Sequence, residues 1–126
     1  MRIERELMRG AGPVAVLKLL EAGSKYGYEL VAALAEHAEG VLDMGQSTLY
    51  PMLYNLEAQG YVKASWEEGE TGRQRKYYSL TADGKRRLAD GVEQWRALAN
   101  AFVGLGILPS GREKKTSRPA LGGASP

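Results

Sequence analysis

Ser47, Thr48, Tyr50 and Tyr54 sit in STLYPMLYNLEAQGYV (47–62), a stretch whose apolar residues carry helical spacing. Leu49, Met52, Leu53 and Leu56 fall at i, i+3, i+4 and i+7 and make one buried stripe. The two hydroxyls, the two phenols and Asn55 then project from the other side, where a surface helix ordinarily carries charge. Hydroxyls and phenols donate to phosphate oxygens and touch base edges, so this face suits contact with a nucleic acid. Ser47 and Thr48 have a plainer use as caps of the same helix, and Tyr54 as a side chain packed over a neighbouring element.

A second group of candidates is cationic. Arg73, Arg75 and Lys76 lie in GRQRKYYSL, and Lys85, Arg86 and Arg87 follow with only Asp83 among them. Such a cluster neutralises phosphate, although a run of charge on a strand end is also simply well solvated. Arg75 and Lys76 are neighbours on a strand, so they point to opposite faces and cannot serve one groove together. Glu67, Glu68 and Glu70 share the same hairpin tip and repel phosphate, so the hairpin must present its arginine side or turn its acids outward. Tyr28 opens a helix, where backbone N–H groups favour a phosphate; a core tyrosine is the alternative.

Other chemistry lacks its residues. There is no cysteine and one histidine, His37, placed at a helix end as a surface or capping residue. No cluster has metal-ligand spacing, no glycine-rich loop cradles a phosphate, and no carboxylate pair has a matching base. An enzyme is not expected, and no cofactor is.

The elements that must position these groups follow from pattern and punctuation. A first helix is expected to begin near Gly10 to Pro13, since proline suits a helix start, and to end at Gly23. Val14, Val16, Leu17, Leu19 and Leu20 point in nearly every direction around it, which asks for cover on two sides. A second helix opens at Tyr26-Gly27-Tyr28, with Tyr28, Val31, Leu34 and Ala35 on one face, and closes near Gly40. The third is the opening stretch, stopped by Gly60 and distorted by Pro51. Residues 61–66 and 74–80 read as two strands joined by a charged, glycine-containing tip. Thr81 caps a fourth helix, with Asp83 in its first turn. Leu88, Val92, Trp95, Ala99, Phe102 and Gly106 are spaced 4, 3, 4, 3, 4 along it. That is the 3.5-residue period of a helix seam, sustained over roughly 39 Å at ~1.5 Å per residue. The apolar seam of so long a helix needs a helical partner.

The chain has 126 residues, 44% of them apolar and 25% charged, ordinary for about one folded domain. Its net charge of +2 is unevenly placed: the last 18 residues carry +3 and residues 1–108 carry −1. A general polyanion-binding surface is thereby excluded, and any nucleic-acid site rests on local clustering. The end of the chain is rich in Pro, Gly and Ser and is expected to be a disordered basic tail. No stretch is long and apolar enough for a membrane span, and the lack of cysteine suits a reducing interior, so the expected location is cytoplasmic, with no membrane partner.

Three helices, a hairpin and a long helix make an α+β, mainly α chain: a winged helix-turn-helix (1–80), a dimerisation helix (81–108) and a tail (109–126). In such modules the third helix enters the major groove and the hairpin, or wing, lies along the backbone. The strings YGYEL (26–30), STLYPMLYNLEAQGYV (47–62) and GRQRKYYSLTADGKRRL (72–88), in this order and spacing, resemble the PadR family of bacterial transcriptional regulators. The match runs from residue 8 to about 106 and includes the single C-terminal helix of the family's compact branch.

The resemblance implies a homodimeric repressor on palindromic operator DNA, released in part of the family by a small aromatic or drug-like ligand at the dimer interface. It raises Arg73 and Arg75 as phosphate contacts. It places Trp95 and Ala99, with Val14 and Leu17 from the first helix, around the ligand; Trp95 alternatively anchors the dimer core. The dimer seam is Leu88, Val92, Trp95, Ala99 and Phe102. One departure stands out: relatives commonly carry basic residues where this chain has Tyr54 and Asn55, which shifts phosphate affinity toward the wing. A winged-helix adaptor that binds protein rather than specific DNA is the competing reading.

Overall fold

The computed structural model describes residues 1–110; of the expected tail, residues 111–126 lie outside the described residues. The element order is α1 (Arg5–Glu21), β1 (Lys25–Tyr26), α2 (Gly27–His37), α3 (Gln46–Ala58), β2 (Val62–Glu68), β3 (Gln74–Leu80) and α4 (Ala82–Gly104). The three strands form one antiparallel sheet in the order β1-β3-β2. Mainly helical, with a hairpin behind the third helix, this is a winged helix-turn-helix.

Two compact units divide the chain within α4, residues 1–91 and residues from Val92 onward. The first holds the core. Val16, Leu17 and Leu20 of α1 are buried there with Leu30 and Leu34 of α2, Leu49, Leu53 and Leu56 of α3, Met44, Val62, Tyr78 and Leu88. The expected stripe of α3 is therefore its inner face, with Met52 at its half-buried margin.

Several boundaries differ from expectation, each for a local reason. Helix α1 starts at Arg5 and carries Pro13 inside it, although proline at that point leaves the Arg9 carbonyl without its helical donor. Burial offsets the loss. Met8 is buried, and Gly12 lets α1 close on α3: a Cβ there would stand 2.6 Å from Met52 Cε. Helix α2 ends at His37 because Glu39 (φ 51°) and Gly40 (φ 83°) turn the chain through left-handed backbone. Its buried residues are Gly27, Leu30 and Leu34, so Tyr28 is on the outside rather than on the inner face with Leu34. Strand β1 is two residues long, too short to show a period, and is fixed only by pairing Lys25 with Tyr78 and Tyr26 with Tyr77. Helix α3 keeps Pro51 in its interior, which leaves the Ser47 carbonyl without its helical donor.

Where the wing returns to the helices, one threonine ties three elements. Thr81 Oγ1 donates to the Gly60 carbonyl (2.6 Å) and accepts from Gly84 N–H (2.9 Å), and Thr81 N–H donates to the Tyr61 carbonyl (3.1 Å). Gly84 is buried against that same Tyr61 carbonyl oxygen, with Leu80 beside it.

In the second unit α4 continues to Gly104. The Ile107 N–H then closes on the Phe102 carbonyl (2.8 Å), with Gly106 at φ 81° making the turn. Trp95, Leu98, Leu105, Ile107 and Leu108 are exposed, since one isolated helix has no layer to bury them in.

A Cβ at residue 84 would land on the Tyr61 carbonyl oxygen, so Gly84→Ala should lower stability by about 1–3 kcal/mol, read as a lower thermal midpoint. Burial raises the Tyr78 hydroxyl above its ordinary range, against the opposing pull of the Lys76 ammonium. An unfolded tyrosine ionises near 10, so the stability held by neutral Tyr78 is intact below that pH and is lost as pH rises through the folded value. Tyr78→Phe should make denaturation midpoints fall less between pH 9 and 11 than they do in the wild type.

Candidate nucleic-acid interface

Helix α3 turns Ser47, Thr48, Tyr50, Tyr54 and Asn55 to solvent. Neither Ser47 nor Thr48 caps it: the N-cap is Gly45, without a side-chain cap bond, and both hydroxyls lie in the first helical turn. Tyr50 is placed by a glycine. Its phenol lies against Gly27 at the start of α2, where any Cβ would collide with the phenolic oxygen and stand 2.6 Å from Cζ. Gly27 thus seats Tyr50 at the mouth of an open groove of about 620 Å³ between α2, α3 and the wing.

The wing supplies the other wall. Register pairs Glu67 with Arg75 and Trp66 with Lys76, so the two basic neighbours face opposite sides of the sheet, as strand alternation requires. Both nevertheless line this groove, against the expectation that they could not share one, because it wraps the edge of the wing. Arg75 is held on one side. Its guanidinium lies 4.5 Å from the centroid of the Tyr26 ring and donates to the Tyr26 hydroxyl at 3.1 Å. Tyr26 in turn stacks on Tyr28 (6.5 Å) and meets Tyr77 edge-on (5.4 Å). Lys76 is held on the other side, 5.5 Å from the Tyr54 ring centroid, 5.6 Å from that of Tyr78 and 3.9 Å from a Glu57 carboxylate oxygen. Each contact is worth about 1 kcal/mol or less at a partly exposed site, enough to bias a rotamer and not enough to lock it.

Arg73 differs from both. It is exposed on the groove, and no hydrogen bond, ion pair or ring contact holds its side chain among the described residues. Tyr28 is 61% exposed and Tyr54 65% exposed, so neither is a core tyrosine. All eight sequence candidates for nucleic-acid contact lie in the first unit, and all but Ser47 and Thr48 line this groove. The groove adds Tyr26 and Trp66, the latter 66% exposed. Trp66 was legible in principle, because period-two alternation with the cross-strand register puts it beside Lys76. Tyr26 depended on β1, which has no period to read.

The cationic cluster does not form one patch. Arg86 pairs with Asp83 one turn away on α4, and Arg87 lines a different cavity, bounded by α1 and α3. Among the described residues no group of three or more His, Asp or Glu side chains is placed to hold a metal ion. None of the helices there is long and apolar enough to cross a membrane.

The other candidates fall in both units. Leu17 is 1% exposed and Leu88 4%, so each is already spent in the core of the first unit and offers little surface to a ligand or a second chain. Val14 and Val92 are half-buried, as is Phe102; Trp95 and Ala99 are exposed. His37 is exposed at the last position of α2.

A profile of the Transcriptional regulator PadR-like family matches residues 16–90. A Streptococcus transcriptional regulator of known structure is 31% identical, with a TM-score of 0.73 over 82% of this chain and 99% of its own. A PadR family transcriptional regulator from Eggerthella lenta is 39% identical, with a TM-score of 0.67 over 79% of this chain and 81% of its own. A protein of Lysinibacillus sphaericus is 27% identical over 93 residues, 74% of this chain and 85% of that one. The wing, the tyrosine-faced α3 and a family profile spanning more than half of the residues agree: the chain belongs to the PadR-like family of transcriptional regulators.

Proposed function

We propose that the chain is a homodimeric repressor that binds a palindromic operator in double-stranded DNA. The observation that supports this best is the shared groove, where the phenols of Tyr28, Tyr50 and Tyr54 adjoin a wing arginine, Arg73, whose side chain has no partner among the described residues. Ser47, Thr48 and Tyr50 of α3 enter the major groove, Tyr28 and Tyr54 flank them, and Arg73 meets backbone phosphate. Arg75 and Lys76 reach phosphate only by leaving Tyr26 and Glu57, so they contribute less than Arg73.

Two copies join through the seam of α4, where Val92, Trp95, Ala99 and Phe102 want a helical partner and Leu88 anchors the first unit. The paired α3 helices then meet half-sites about one helical turn apart, roughly 34 Å. A small aromatic ligand seated beside Trp95 and Ala99 releases DNA by favouring a dimer of different spacing. The site of action is the cytoplasm. The adaptor reading draws on the internal partners of Arg75 and Lys76, which leave few free cations on the wing.

Anisotropy titrations with the DNA upstream of the chain's own gene separate the two readings. Saturable binding that resists competitor DNA is expected; absence of binding at low salt favours the adaptor. Arg73→Ala should weaken binding to all sequences alike and lower the salt slope by about 1, with a smaller effect from Arg75→Ala. Sedimentation of the full chain at micromolar concentration should give a dimer, and Trp95→Asp should give a folded monomer that no longer binds the palindrome.

A further inference from the structure

Apart from the groove above, the first unit holds a cavity of about 390 Å³ between the N-terminal half of α1, the outer side of α3 and the first turns of α4. Its walls are aliphatic and thioether: Met8, Pro13, Met52 and Leu56. Three guanidinium groups border it, Arg5, Arg9 and Arg87, and no acidic side chain does. None of the three has an ion pair or a side-chain hydrogen bond among the described residues, whereas neighbouring Arg86 is paired with Asp83. Arg87 is the most telling, because it is half-buried and still lacks a counter-charge. A partly desolvated guanidinium beside an apolar wall is complementary to an anion carried on an apolar body.

We propose that this cavity binds a free medium-chain fatty acid, with the carboxylate on Arg87 and the acyl chain along Met8, Met52 and Leu56. The walls favour an acyl chain over a flat ring. Tyr61 is the one aromatic residue lining the cavity, and methionine, unbranched and flexible, adapts to a chain that can bend. Helix α3 supplies Thr48 and Asn55 to the same cavity, so an occupant touches the helix that also carries Tyr50 and Tyr54. The site lies wholly within the first unit, shares only Thr48 with the proposed DNA contacts, and needs no ligand at Trp95.

Calorimetric titration of the full-length chain with hexanoate, octanoate and decanoate tests it. One acid per chain is expected, with affinity rising about fourfold per added methylene as each is buried. Decanol and methyl decanoate, which keep the chain and lose the charge, should bind at least tenfold more weakly than decanoate. Arg87→Gln should weaken decanoate at least tenfold and Arg86→Gln should leave it unchanged; if Arg87→Gln does not fold, Arg5→Gln/Arg9→Gln serves in its place. In methyl NMR spectra decanoate should shift Met8 and Met52 and leave Met1 in place. The proposal is overturned by absence of binding, by affinity independent of chain length, by equal binding of the ester, or by an unmoved Met52 signal. A cavity closed by a second copy of the chain would show itself as absence of binding at dimer concentrations, and that too overturns it.

Discussion

The hydroxyl of Thr81 holds three parts of the first unit in one geometry. It donates to the last turn after α3 through Gly60 and accepts from Gly84 in the first turn of α4, while its own N–H reaches Tyr61 at the foot of β2. A hairpin joined to a helix by a flexible link would sample many angles, and a groove between them would have no fixed width. Three short hydrogen bonds around one residue remove that freedom. Gly84 completes the joint, because only a residue without Cβ allows α4 to start against the Tyr61 carbonyl. The distance from wing to α3, and so the shape of the tyrosine groove, follows from this corner.

Within the groove the cations are divided by what they touch. Arg75 and Lys76 spend their charge on rings and on Glu57, which stiffens Tyr26 and Tyr54 at the cost of phosphate affinity. Arg73, one residue beyond the last strand pairing, escapes both sets of partners. The neutral Tyr54-Asn55 pair on α3 belongs with this division. A positive charge at Tyr54 would sit beside Lys76, and the aromatic ring instead accepts the ammonium on its face.

Glycine sets the close approaches elsewhere in the unit. Gly27 seats the Tyr50 phenol and Gly12 admits Met52 and Met44 against α1. These contacts explain how α1 can run through Pro13: the helix loses one backbone bond and gains the burial of Met8 and the fit around Gly12. Beyond Gly91 the balance reverses. The α4 residues from Val92 onward keep Trp95, Leu98 and Leu105 exposed, which is what a helix with an apolar seam and no second layer must do.

The sequence by itself determined the order of the four helices and the hairpin, the inner stripe of α3, the Thr81 cap and the opposite facing of Arg75 and Lys76. Each of these is a matter of period or of a residue's own backbone preference, and both are local. Tertiary structure alone decided the start of α1, the existence of β1, the outward turn of Tyr28 and the fate of the six cations that sit close together in the chain. Neighbours in sequence were separated because strand alternation, one turn of helix and the entry of α4 each send side chains in different directions. Arg86 met Asp83 one helical turn away, a local pair, whereas Arg73 reached the tyrosine groove and Arg87 the methionine-walled cavity, since what those charges meet depends on contacts between residues far apart in the chain.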